Sequence, residues 1–167
     1  KKVWTGASAC RSHSVAVPSW QPATSSSSDT RHMVFTLESW TRCLTRSPVL
    51  TSQIESEKLR WVAASGVHGL TEVRLPLPGD RPAEYTVKMI FAEPFRTAAG
   101  ARVFDVSLQG ESVLRDLDIV QEAGGTGQLL EKQFTGVAAT DEIVLSFSAT
   151  RGEPLICGIE VIAEPLE

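Results

Sequence analysis

Apolar and polar residues alternate with a period of two through most of the chain beyond residue 52, and through almost none of it before. In Tyr85-Thr86-Val87-Lys88-Met89-Ile90-Phe91, the residues Tyr85, Val87, Met89 and Phe91 share one face while Thr86 and Lys88 take the other, until Ile90 interrupts. Successive strand side chains point to opposite faces, so this pattern predicts a half-buried β-strand. The next run turns Phe104, Val106 and Leu108 inward and Asp105 and Ser107 outward. Gln109-Gly110-Glu111 then reads as a hairpin turn, and Ser112-Val113-Leu114-Arg115 as the return strand. Further on, Ile143, Leu145 and Phe147 alternate with Ser146 and Ser148, and Leu155, Cys157, Ile159 and Val161 mark a last strand. Residues 59–62, 70–77 and 129–134 bring the set to about eight short strands.

Turn formers separate these runs: Pro78-Gly79-Asp80, Ala98-Ala99-Gly100, Gly124-Gly125-Thr126-Gly127 and Arg151-Gly152-Glu153-Pro154. The pattern predicts an all-β fold, a jelly-roll-like antiparallel β-sandwich over residues 53–167. A parallel α/β sheet is excluded, because each of its crossovers needs a helix and no helical period of 10–15 residues occurs. Function therefore has to come from loops carried on a sandwich.

Composition separates an irregular segment, residues 1–52, from that domain. The segment holds 18 of the 31 Ser and Thr and three of the four Trp. Ser25-Ser26-Ser27-Ser28, Pro18 and Pro22 have the character of a linker, and Met33-Val34-Phe35-Thr36-Leu37 is the one piece expected to be ordered. Trp4, Trp20 and Trp40 are too many for a pure linker. Three origins stay open: a segment packed on the domain, a fragment of a preceding domain, and a frame-shifted reading.

Charge divides at the same point. Residues 1–52 carry six basic and two acidic residues, net +4, and residues 53–167 carry ten and eighteen, net −8. With a whole-chain charge of −4, no basic groove is expected, and nucleic acid is not an expected partner. No apolar run has the length of a membrane span, so no membrane partner is expected either.

Candidate chemistry is sparse. Cys10, Cys43 and Cys157 have neither zinc spacing nor the density of a disulfide scaffold. Cys157, inside Leu155-Ile156-Cys157-Gly158-Ile159, reads as a small core residue, while a Cys10–Cys43 pair is left open. His13, His32 and His68 are dispersed, and His68 in Gly66-Val67-His68-Gly69 reads as a turn or edge residue. No nucleophile elbow occurs, and the glycine-rich 124–127 run lacks the lysine of a phosphate loop, so no catalytic role is expected. Asp116 and Asp118 alternate with Leu117 and Ile119 and so are expected on one side, where oxygen ligands hold Ca²⁺. A Ca²⁺ site wants six or more oxygens, so capping of loop amides and pairing with Arg115 is the preferred reading, and no cofactor is expected. Aromatic rings at loops grip sugars by packing on their C–H faces. Phe95, in Glu93-Pro94-Phe95-Arg96, is the ring expected to be exposed. Tyr85 and Phe91 are expected in the core, and Trp61 is read the same way.

Tyr85-Thr86-Val87-Lys88-Met89-Ile90-Phe91-Ala92-Glu93, Arg102-Val103-Phe104-Asp105-Val106, Asp116-Leu117-Asp118-Ile119 and Pro154-Leu155-Ile156-Cys157-Gly158-Ile159-Glu160-Val161 follow one another with the order and gaps of the malectin and malectin-like domain family. The resemblance covers residues 54–163. It implies a jelly-roll sandwich that binds carbohydrate without catalysis, often as a bacterial accessory domain on a larger extracytoplasmic (periplasmic or secreted) protein, beside a neighbouring domain of the same chain. In that family loop aromatics and an acidic residue near the final strand hold the sugar. Phe95 falls on one aromatic position. Gly66 and His68 stand where another aromatic is expected, and Gly152 stands where the carboxylate aligns, with Glu153 one place away. The expected carbohydrate-binding residues are Phe95 as the stacking ring, with Glu93, Arg96, Asp118 and Glu153 as hydroxyl partners. The alternative is a structural or protein-interaction module that has lost sugar binding.

Overall fold

A computed structural model describes residues 14–16, 32–36, 60–63, 66–77, 81–95 and 97–164. In chain order the elements are β1 (Ser14–Ala16), β2 (His32–Thr36), α1 (Arg60–Ala63), β3 (Val67–His68), β4 (Glu72–Pro76), β5 (Ala83–Ala92), β6 (Val103–Leu108), β7 (Glu111–Leu117), α2 (Ile119–Ala123), β8 (Leu129–Ala139), β9 (Glu142–Arg151), β10 (Leu155–Ile156) and β11 (Gly158–Ala163). They form a five-stranded sheet in the order β1-β4-β9-β6-β7, a four-stranded sheet in the order β2-β11-β5-β8, and a small β10-β3 ribbon. Every pairing is antiparallel except β1 with β4. The fold is thus the expected all-β sandwich.

Its core follows from the alternation. From the five-stranded sheet come Val73, Leu75, Phe104, Val106, Leu108, Ile143, Leu145 and Phe147; Tyr85, Val87, Met89, Phe91, Ile159 and Val161 come from the four-stranded one, and all are buried. Phe104 joins the two layers, its ring centroid 6.2 Å from Phe91 and 6.4 Å from Phe147 at tilted angles favourable to aromatic pairs. The β6–β7 turn places Gln109 and Gly110 at φ 52° and 84°. Two successive positive φ values match the right-handed twist of a hairpin, and glycine tolerates them without strain.

Three local expectations are revised. Of residues 59–62, expected as a strand, the described residues 60–62 fall in helix α1 instead. A four-residue apolar run cannot separate the two periods, and here Val62 and Ala63 are both buried, against Ile90, Ala92 and Cys157. This second cluster also explains why Ile90 breaks the alternation of β5: it faces α1 while its neighbours Met89 and Phe91 face the main core. The last strand is split at Cys157 into β10 and β11, because the Cys157 N–H donates to Ile90 O at 2.8 Å as the chain passes from the small ribbon to the four-stranded sheet. Asp116 and Asp118 do not share a side. Asp116, at φ 49°, is exposed and donates its backbone N–H to the Asp105 carboxylate, whereas Asp118 is buried. A positive φ in a non-glycine residue ends the strict alternation on which the expectation rested. Arg115 pairs with neither of them, its Nε donating to Ser112 Oγ at 3.3 Å.

Met33–Leu37, the one ordered piece expected in the first segment, overlaps β2, which pairs with β11. Cys10, Cys43, His13 and the Pro78-Gly79-Asp80 turn lie outside the described residues, as does the Trp61 side chain.

Candidate functional site

Beyond Ala92 the chain leaves β5 at Pro94, which has no N–H to continue the ladder. Glu93 turns inward and is wholly buried. A carboxylate in that position needs a countercharge and donors. Arg102 Nε supplies the first, 2.7 Å from Oε2, and the Phe95 backbone N–H donates to Oε1 at 3.3 Å. The Phe95 carbonyl accepts from the Thr97 N–H and hydroxyl at 2.8 and 3.2 Å. This tight turn leaves Phe95 41% exposed, the exposed large hydrophobic residue among the described residues. The loop returns through Gly100, whose N–H donates to the Asp118 carboxylate. Asp118 is also the N-cap of α2, accepting from the Gln121 N–H at 3.2 Å. Short acidic side chains satisfy helix-end amides in this way, which is the amide-capping role expected of it.

Three further loops join the first one, directly or through one another. Arg102 Nη1 donates to the backbone carbonyl of Glu153, in the turn between β9 and β10. The Glu153 carboxylate, 64% exposed, lies 2.5 Å from His68 Nδ1 on β3, and Gly69 N–H donates to Pro154 O at 2.9 Å. From the glycine-rich turn after α2, Gly127 N–H donates to Glu93 O at 2.8 Å. Four loops are therefore tied together around one buried ion pair.

Of the expected carbohydrate-binding residues, Phe95 and Glu153 present side chains to solvent. Glu93 and Asp118 belong to the same constellation but spend their oxygens on Arg102 and on backbone amides. Arg96 lies outside the described residues. Arg102 was not singled out, although it heads the Arg102–Val106 motif, because a basic residue at a strand start ordinarily reads as solvated. Its side chain is only 14% exposed. A signal did exist: an Arg placed nine residues after a Glu across a turn rich in small residues. His68 is an edge residue as expected, with Glu153 as its partner.

Cys157 is fully buried, with its Sγ 3.6 Å from Ala92 O and 3.8 Å from Ala63 O. Desolvation pushes its thiol up to about 12, and a thiol this far from ionising is inert as nucleophile or metal ligand at neutral pH. Among the described residues no three His, Cys, Asp or Glu side chains converge as metal ligands, and no helix is long and apolar enough to cross a membrane.

The fold is thus a two-layer β-sandwich that carries a ring and a carboxylate on interlocked end loops. The Malectin domain family profile matches residues 52–162, and the chain belongs to that family. A kinesin-like protein, KIN-14E of Oryza sativa subsp. japonica, is 33% identical over 92 residues, which make up 50% of this chain and 8% of that protein. Among solved structures, a β-glucuronidase of Bacteroides uniformis superposes with a TM-score of 0.58 at 20% identity, over 67% of this chain and 13% of the enzyme. The ANX1 ectodomain of Arabidopsis thaliana superposes with a TM-score of 0.55 at 12% identity, over 68% of this chain and 36% of the ectodomain. The structural matches establish a shared fold, and in each relative this chain corresponds to a minor part of the whole.

Proposed function

We propose that the chain is a non-catalytic carbohydrate-binding module of a larger protein, with the Phe95 ring packing on the C–H face of a sugar and the Glu153 carboxylate accepting hydroxyl hydrogen bonds. The observation that carries this reading is the exposure of Phe95 on a loop pinned from both sides, since an immobilised ring loses little entropy when a ligand covers it. Arg96, next to Phe95 in sequence, is the further polar partner, and Glu93 and Asp118 serve the site by holding its loop. An accessory position in a multidomain chain fits the 8–36% shares of the relatives' lengths. The extracytoplasmic assignment leans on the family and on the ectodomain match.

A second reading, a module that docks on protein, is favoured by one observation: His68 stands where an aromatic is expected from the resemblance and is engaged with Glu153. A glycan array followed by calorimetry on the whole chain separates the two. Carbohydrate binding predicts a hit whose affinity falls at least tenfold in Phe95→Ala, with the melting temperature unchanged because an exposed ring contributes little to folding. A folded chain that binds no glycan on the array defeats the carbohydrate reading in favour of protein docking, and a hit unaffected by Phe95→Ala removes Phe95 from the site.

A further inference from the structure

We infer that Arg102 is the positioning residue of this site, the one side chain that sets the spacing between the Phe95 ring and the Glu153 carboxylate. The inference deepens the recognition role proposed for that end of the sandwich. Three features carry it. First, the guanidinium uses two different nitrogens on two different loops: Nε on the buried Glu93 carboxylate and Nη1 on the Glu153 main-chain carbonyl. Second, the other oxygen of Glu93 takes the Phe95 N–H, so the main chain beneath the ring is one carboxylate away from Arg102. Third, Glu153 is held by its backbone, which leaves its carboxylate exposed and reaching His68. The ring and the carboxylate are thus referenced to a single planar fork, although 58 positions separate them in the chain (153 − 95).

Geometry, beyond charge, is required for this role. An ammonium at position 102 would neutralise Glu93 equally well, but it is a point donor on a flexible stem and lacks the rigid spread of a guanidinium. Lysine therefore restores the buried charge balance without the bridge to Glu153. A residue needed only for stability would tolerate that exchange; a positioning residue would not.

The test is Arg102→Lys in the whole chain, read by amide hydrogen exchange with no sugar present, so that it stands even if the carbohydrate reading fails. The Phe95 and Gly69 amides, which report the two loops, are expected to exchange at least tenfold faster in the variant. The Cys157 amide, bonded to Ile90 O in the four-stranded sheet, is expected to be unchanged. Equal protection of Phe95 and Gly69 in both proteins overturns the inference. Should the variant fail to fold, the unmodified protein decides: Arg102 Nη protons resolved from one another at pH 7 support the fork that holds Nη1 on Glu153 O, and a single rotationally averaged Nη signal overturns it. If cellobiose or maltose binds the unmodified chain, Arg102→Lys is expected to weaken that binding at least tenfold, and equal affinity again overturns the inference.

Discussion

Glu93 and Phe95 stand two residues apart, and folding treats them in opposite ways: the charged side chain is enclosed and the aromatic one is left in water. Enclosure is tolerable because Arg102 and the Phe95 N–H meet both carboxylate oxygens; removing one partner from such a buried pair costs about 3–5 kcal/mol. Cys157 is another buried titratable group, and desolvation outweighs the charges of Glu93 and Arg102 near it. Burial holds its thiol near 12, whereas the ordinary value is 9.0. Because the folded state is the one that keeps the proton, the resulting stability is complete below about pH 9 and is lost as pH rises from 9 toward 12. Urea midpoints measured from pH 8 to 11 are expected to fall more steeply in the unmodified protein than in Cys157→Ala, and Cys157 is expected to resist alkylation until the protein unfolds. The burial of Cys157 was legible from its apolar neighbours, and the exposure of Phe95 from the preceding proline. The burial of Glu93 was not, since its countercharge arrives only when the 93–102 loop folds back.

Helix α1 shows how one element is placed by another. It lies over β11 at Gly158, where a Cβ would come within 2.5 Å of Val62 Cγ1 and within 3.4 Å of Ile90 Cδ1. Only glycine leaves room for this approach. Gly158→Ala is expected to destabilise the protein by about 1–3 kcal/mol, the usual range for an added methyl group in a packed site. Because the clash is with one named methyl, Val62→Ala in the same chain should recover part of the loss. A double-mutant cycle by chemical denaturation checks this, and strictly additive effects would contradict the contact. The strands β5, β6 and β9 were legible because their inward faces follow from a period of two. For α1 the relevant information sits near residue 158, almost a hundred positions away, and a four-residue window cannot contain it.

The molecule as a whole is a sandwich whose edges are partly supplied by the irregular first segment: β1 borders β4, and β2 borders β11. The described core residues run from Val62 to Val161, so residues 53–167 retain those apolar layers. A chain starting at residue 53 is expected to fold, with faster amide exchange along β4 and β11 and a greater tendency to associate through the bared edges. Exchange in β6 should stay unchanged. Loss of the folded state altogether would show that the first segment is integral to the core. The longer strands from β4 to β9, their buried faces and the turn that exposes Phe95 are readable from the chain alone, because alternation, glycine and proline act on neighbours within a few positions. Which carboxylates become struts, which one faces solvent, and that Arg102 joins them are settled by contacts between residues 68, 93, 102 and 153. Those contacts exist only once two sheets have closed on each other, for the physical reason that a buried charge must find its partner across space and has no need of it in sequence.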